Sequence, residues 1–110
     1  PQISPGSSTQ YYERVVAEQG GPTKIAESYR LFMAPGMAHC GGGEGPNTFD
    51  ALAAIEGWVE RGTAPDQIIA SHSTNGTVDR TRPLCPYPRQ SVYRGSGSTD
   101  DAANFVCRAR

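Results

Sequence analysis

Large aliphatic side chains are scarce in this sequence. Leu, Ile, Val and Phe supply 17 of its 110 residues, about 15%, a level at which disorder becomes a question. Strong net charge is missing too. Ten basic residues against eleven acidic ones leave a formal charge of −1, and without self-repulsion low hydrophobicity alone does not hold a chain open. With no basic excess, the electrostatic footprint that nucleic acid or an anionic membrane surface requires is absent. No run approaches the ~20 apolar residues of a membrane-spanning helix, and no charged segment followed by an apolar one opens the chain as a signal peptide would. The first residue is Pro1 rather than Met, as in a processed or truncated chain. Signatures of chemistry are equally thin: there is no CxxC pair, no zinc-ligand spacing and no GxSxG elbow. Neither a metal nor a nucleic-acid or membrane partner is expected.

Turn-forming residues are what the sequence has in quantity. Thirteen glycines and nine prolines make much of the length loop. Residues 1–5 read as an extended loop. Ser7 or Ser8 then caps a helix over 9–19, with Tyr12, Val15 and Val16 on its apolar side, stopped by Gly20, Gly21 and Pro22. Residues 24–28 are ambiguous. The dense apolar run 29–34 (YRLFMA) predicts a buried strand ended by Pro35 and Gly36. The next helix is marked by Asn47 as N-cap, Asp50 three residues on and Gly62 past its end. Its apolar stripe of Phe49, Leu52, Ile55 and Val59, with Trp58 alongside, faces something larger than itself. Strands are expected over 66–73 and 77–82 around an Asn75–Gly76 hairpin turn, and one more over 90–94 in an otherwise irregular tail. Helix, strand, loop and helix in that order is an α/β arrangement. A parallel strand at 29–34 would need sheet neighbours from sequence that is not here.

The three cysteines are Cys40, Cys85 and Cys107. They are either unrelated buried thiols or, in an oxidising compartment, one bridge with one cysteine left over. Within the oxidised reading Cys85 and Cys107 are the natural pair, because the tail around them has little apolar mass. Closing that loop is worth about 3 kcal/mol in the chain-entropy description. Cys40 is then without a partner.

One constellation invites a mechanistic reading. In PGMAHCGGG, His39 lies in a glycine-dense loop directly after the expected strand, where α/β sheets bind ligands, and imidazole is the side chain best suited to proton transfer near neutral pH. By position alone His39 is equally a solvated loop residue. His72 reads as a surface histidine or one supporting a site from behind, and Asp50 is accounted for by its place at the helix start. Trp58, Tyr11 and Tyr12 read as packing residues. Gly41 to Gly43 read as letting backbone pass close to a neighbouring loop of the site, and no lysine follows to make them a phosphate cradle.

In YYERV, in SYRLFMAPGMAHCGGGEGPNTFDALAAIEGWVERGTAPDQIIASH and in RTRPLCPYP, the chain resembles the tannase and feruloyl esterase family over nearly its whole length. The resemblance implies that residues 1–110 are the C-terminal fragment of one α/β-hydrolase catalytic domain, without a complete second domain. They would comprise strand, catalytic histidine loop and helix, then an irregular, disulfide-stapled hairpin extension. It implies that His39 is the general base of a Ser-Asp-His triad, and that Cys40 pairs with a cysteine beside the nucleophile, outside this chain. Ser96, in GSGS, sits in a flexible tail stretch and is not that nucleophile. The triad aspartate is expected just ahead of Pro1. The family's structural calcium belongs to a lid that is also absent, so no cofactor or metal is assigned to this segment. The partners implied are aromatic esters such as galloyl, feruloyl or mono(hydroxyethyl) terephthalate esters, in a secreted or periplasmic setting, and the fragment alone is expected to be inactive. The competing reading is a small disulfide-stapled extracellular binding or structural module in which HCGGGEG is only a turn.

Overall fold

Helix α1, Gly6–Glu18, opens the computed structural model, which describes residues 4–39 and 41–109. It begins earlier than its sequence suggests. Pro5 already has helical dihedrals (φ −63°, ψ −19°) and serves as N-cap without a side-chain bond, since proline's fixed φ suits a first turn. Ser7 and Ser8 are therefore inside the helix. Gly20 and Gly21, with φ of 102° and 99°, end it, and the single turn α2, Pro22–Ile25, follows.

Residues 29–34 do not form the expected strand. Only Phe32 bridges another segment, at Pro86, while Tyr87 N donates to Leu31 O at 2.7 Å. A strand needs a partner along its whole length, and the described residues supply one at two positions. The next helix, α3, spans Ala51–Arg61, and its N-cap is Asp50, whose carboxylate accepts from Ala53 N at 2.9 Å. Asn47 is not the cap, because the backbone at 47–48 is committed elsewhere: Asn47 N and Thr48 N both donate to Ser71 O, at 2.9 and 3.1 Å. Gly62 closes α3 in the left-handed conformation (φ 68°), with Thr63 N bonded back to Gly57 O, the cap that glycine permits.

Strands β1, Ile68–Thr74, and β2, Thr77–Leu84, form an antiparallel hairpin pairing Ile68 with Leu84 and His72 with Arg80. Asn75 (φ 52°) and Gly76 (φ 80°) turn it, both with the positive φ that tight hairpins require. A second antiparallel pair joins β3, Gln90–Tyr93, to β4, Phe105–Arg108. Cys85 is bonded to Cys107. The β structure described is thus two two-stranded antiparallel sheets, without the strand of a parallel sheet ahead of the histidine loop. The apolar core is small: Tyr12, Ile25, Ala70, Leu84, Cys85 and Phe105 are buried. Tyr12 packs against Tyr29 and, edge-on, against Tyr87, with centroids 5.4 and 5.8 Å apart. Along α3 the apolar stripe is bare, with Leu52 66%, Ile55 47% and Val59 78% exposed.

Candidate active-site loop

Between Phe32 and Asn47 the chain runs out and back in a narrow loop, and His39 lies in a turn near its tip with its side chain exposed. Glycine makes the loop possible. Gly45 N donates to Gly36 O at 3.0 Å and Ala38 N to Gly42 O at 3.1 Å, so the two limbs are bonded backbone to backbone. A Cβ on Gly43 would run into the Gly36 carbonyl, and one on Gly45 into the Pro35 carbonyl. Gly43 also has φ 91°, where side chains are strained. Gly36, Gly43 and Gly45 therefore permit the close approach of the two limbs, whereas a Cβ on Gly41 or Gly42 would meet nothing within 4 Å.

Among the described residues no carboxylate bonds the His39 ring, and neither larger cleft, of about 460 and 490 Å³, is lined by it. Proton transfer by an imidazole is effective where a nucleophile, an orienting acid and oxyanion donors surround it. Cys40 lies outside the described residues. Among the described residues there is no group of three or more His, Cys, Asp or Glu that could hold a metal ion.

His72 sits elsewhere, on the hairpin. Its Nδ1 lies 2.7 Å from Asp79 Oδ1, and Thr74 Oγ1 donates to Asp79 Oδ2 at 2.6 Å. The Thr74 hydroxyl, and then His72, hold the Asp79 carboxyl below its ordinary range. Sequence reasoning singled out His72 but not Asp79, which the register shift after His72 leaves without a cross-strand partner and within reach of the His72 ring. Asp50 is a cap, as described. Trp58 is half-buried and carries the Arg30 guanidinium 5.5 Å above its ring. Tyr12 is buried, whereas Tyr11 is 58% exposed and does not pack as expected. Tyr87, unremarked in the sequence, donates to Glu13 at 2.6 Å, which together with burial raises its phenol above the usual range.

The sequence profile described as tannase and feruloyl esterase matches residues 1–108. The chain is 51% identical over 102 residues to a mono(2-hydroxyethyl) terephthalate hydrolase of Piscinibacter sakaiensis, matching 90% of this chain and 16% of that protein. Among solved structures it is similar to an esterase from Aspergillus oryzae (39% identity, TM-score 0.86, 96% of this chain and 25% of that one). It is also similar to feruloyl esterase B from the same organism (33% identity, TM-score 0.87, 96% and 24%). The chain thus spans a quarter or less of the length of these relatives.

Proposed function

This chain belongs to the tannase and feruloyl esterase family, and on that premise we propose that it is the histidine-bearing C-terminal part of a serine-dependent carboxylic ester hydrolase acting on aromatic acyl esters. The observation that carries the proposal is His39, exposed near the tip of a loop whose limbs are locked together by backbone bonds, in a chain matching only 16–25% of its relatives' length. In the reaction proposed, His39 takes the proton of a serine hydroxyl as the oxygen attacks the ester carbonyl. It returns that proton to the leaving alcohol, then takes one from water as the water oxygen attacks the acyl-enzyme, and gives it to the serine oxygen as the acid departs. The serine and the orienting aspartate come from polypeptide outside this segment. Cys40 pairs there with a cysteine beside the nucleophile, tying the two catalytic loops together.

The bare stripe on α3 supports the idea of a part rather than a self-contained binding module. Leu52, Ile55 and Val59 would be covered in a protein of the relatives' length, whereas a free-standing module gains nothing by exposing them. The Cys85–Cys107 bond supports a secreted or periplasmic location, where disulfides persist. The purified 110-residue chain tests the division of labour. It should turn over neither methyl ferulate nor methyl gallate, and turnover abolished by His39→Ala would mean that the chain holds a nucleophile of its own.

A further inference from the structure

Among the described residues the His39 loop is fastened from outside by a single part of the chain. Its entering limb is bonded at Leu31, which accepts from Tyr87 N at 2.7 Å, and Phe32 bridges Pro86. Its leaving limb is bonded at Asn47 and Thr48, which donate to Ser71 O, while Thr48 O accepts from Ser71 N at 2.8 Å. Between the limbs, Arg80 Nη1 donates to Glu44 O at 3.4 Å. These anchors all lie within 71–87, and among the described hydrogen bonds none comes to the loop from a helix.

The anchoring segment is tied in turn to the connection between β3 and β4, and by the disulfide to β4 itself. Arg80 Nε bonds Asp100 at 3.3 Å, Arg82 Nη2 donates to Thr99 O at 2.8 Å, and Thr81 N donates to Asp100 O at 2.9 Å. Cys85, the residue before Pro86, is bonded to Cys107 in β4. The staple therefore sits one residue from the anchor on the entering limb. Arg80 reaches the loop with one end of its guanidinium and the tail with the other.

A glycine-rich loop left to itself has a large conformational entropy to lose before it can present a side chain in one place. A displacement of ~1 Å at a reacting group can cost on the order of 10²-fold in rate. We infer that the stapled module of β1–β4 is the frame that holds the His39 loop for proton transfer, with Arg80 and the Cys85–Cys107 pair as positioning residues. This rests on His39 being the general base.

Two measurements test it. In the 110-residue chain, amide hydrogen exchange is followed for the wild type and for Cys85→Ala/Cys107→Ala. The frame predicts exchange on the order of tenfold faster at Ala38, Gly45, Thr48 and Tyr87, with the amides of α1 unchanged. Unchanged loop amides, or equal acceleration everywhere including α1, would overturn it. The second measurement needs no intact staple mutant: the Piscinibacter sakaiensis hydrolase is rebuilt with this chain in place of its matching 102-residue segment. There Arg80→Ala should lower kcat with KM unchanged, and Arg80→Lys, which keeps a donor for Glu44 O, should recover most of the loss. Equal loss with Lys and Ala, or a change in KM alone, would contradict a positioning role. If His39→Ala left the rebuilt enzyme at full rate, the general-base proposal would fail while the exchange result still judged the frame.

Discussion

Gly43 illustrates how single residues decide the loop. Alanine at Gly43 must both adopt φ 91° and push its Cβ against the Gly36 carbonyl and Ala38 N, whereas alanine at Gly42 faces the left-handed φ of 70° alone, with open space around it. The left-handed conformation costs a non-glycine residue roughly 1–2 kcal/mol, so thermal melting should show Gly43→Ala to be clearly more destabilising than Gly42→Ala. Equal losses would mean that the limbs part easily. Asp79 makes a prediction about acid. Its carboxyl is held below the ordinary aspartate range, first by the Thr74 hydroxyl and then by His72. A folded-state value below the unfolded one means that the contribution is complete above about pH 3.8 and lost as pH falls below it. Protection of the hairpin amides should therefore weaken on acidification through that window, and Asp79→Asn should remove this component. An asparagine variant with the same acid profile would assign the loss to other carboxylates. Of these residues, the turn at Asn75–Gly76 was legible because positive φ has a short list of tolerant residues. The Asp79 network was not, since it depends on which residues the register sets side by side.

At the scale of elements, α3 is the best-signalled: Leu52, Ile55, Val59 and the glycine cap are where the periodicity puts them, while Phe49 falls ahead of the Asp50 N-cap, outside the helix. Its N-cap was misplaced by three residues, because Asn47 and Asp50 are equally good caps in sequence and only the pairing of 47–48 with Ser71 decides between them. Within the tail the sequence carries no signal for β4: four residues after a glycine-rich stretch have no periodicity of their own, and partner and staple make the strand. The exposed face of α3 separates two situations. In the 110-residue chain Val59→Lys should change stability by less than ~0.5 kcal/mol, as an open surface site does, while Asp50→Ala should cost ~1 kcal/mol through the lost cap. In the rebuilt full-length hydrolase the lysine should be strongly destabilising, since an unpaired charge is costly to bury. Chemical denaturation of both proteins reads the difference, and a tolerated lysine in the full-length protein would show that nothing covers the stripe.

For the whole molecule, the misread strand at 29–34 has the same origin as the bare helix face. Apolar density reports that a segment is to be covered, not what covers it, and a chain spanning 16–25% of its relatives' length holds too few partners to form a sheet around it. The candidate site was legible to a different degree. Position alone leaves His39 open between proton transfer and a solvated loop residue, and the family resemblance in PGMAHCGGG tips it toward chemistry, while the clamped limbs and their anchors at Ser71, Arg80 and Tyr87 emerge only from the fold. The account stands or falls on that histidine. The decisive measurement is kcat/KM for mono(2-hydroxyethyl) terephthalate in the rebuilt Piscinibacter sakaiensis hydrolase, with and without His39→Ala, at matched thermal stability. Loss of a triad histidine predicts a fall on the order of 10⁴-fold or more; undiminished turnover in a folded His39→Ala enzyme would contradict it.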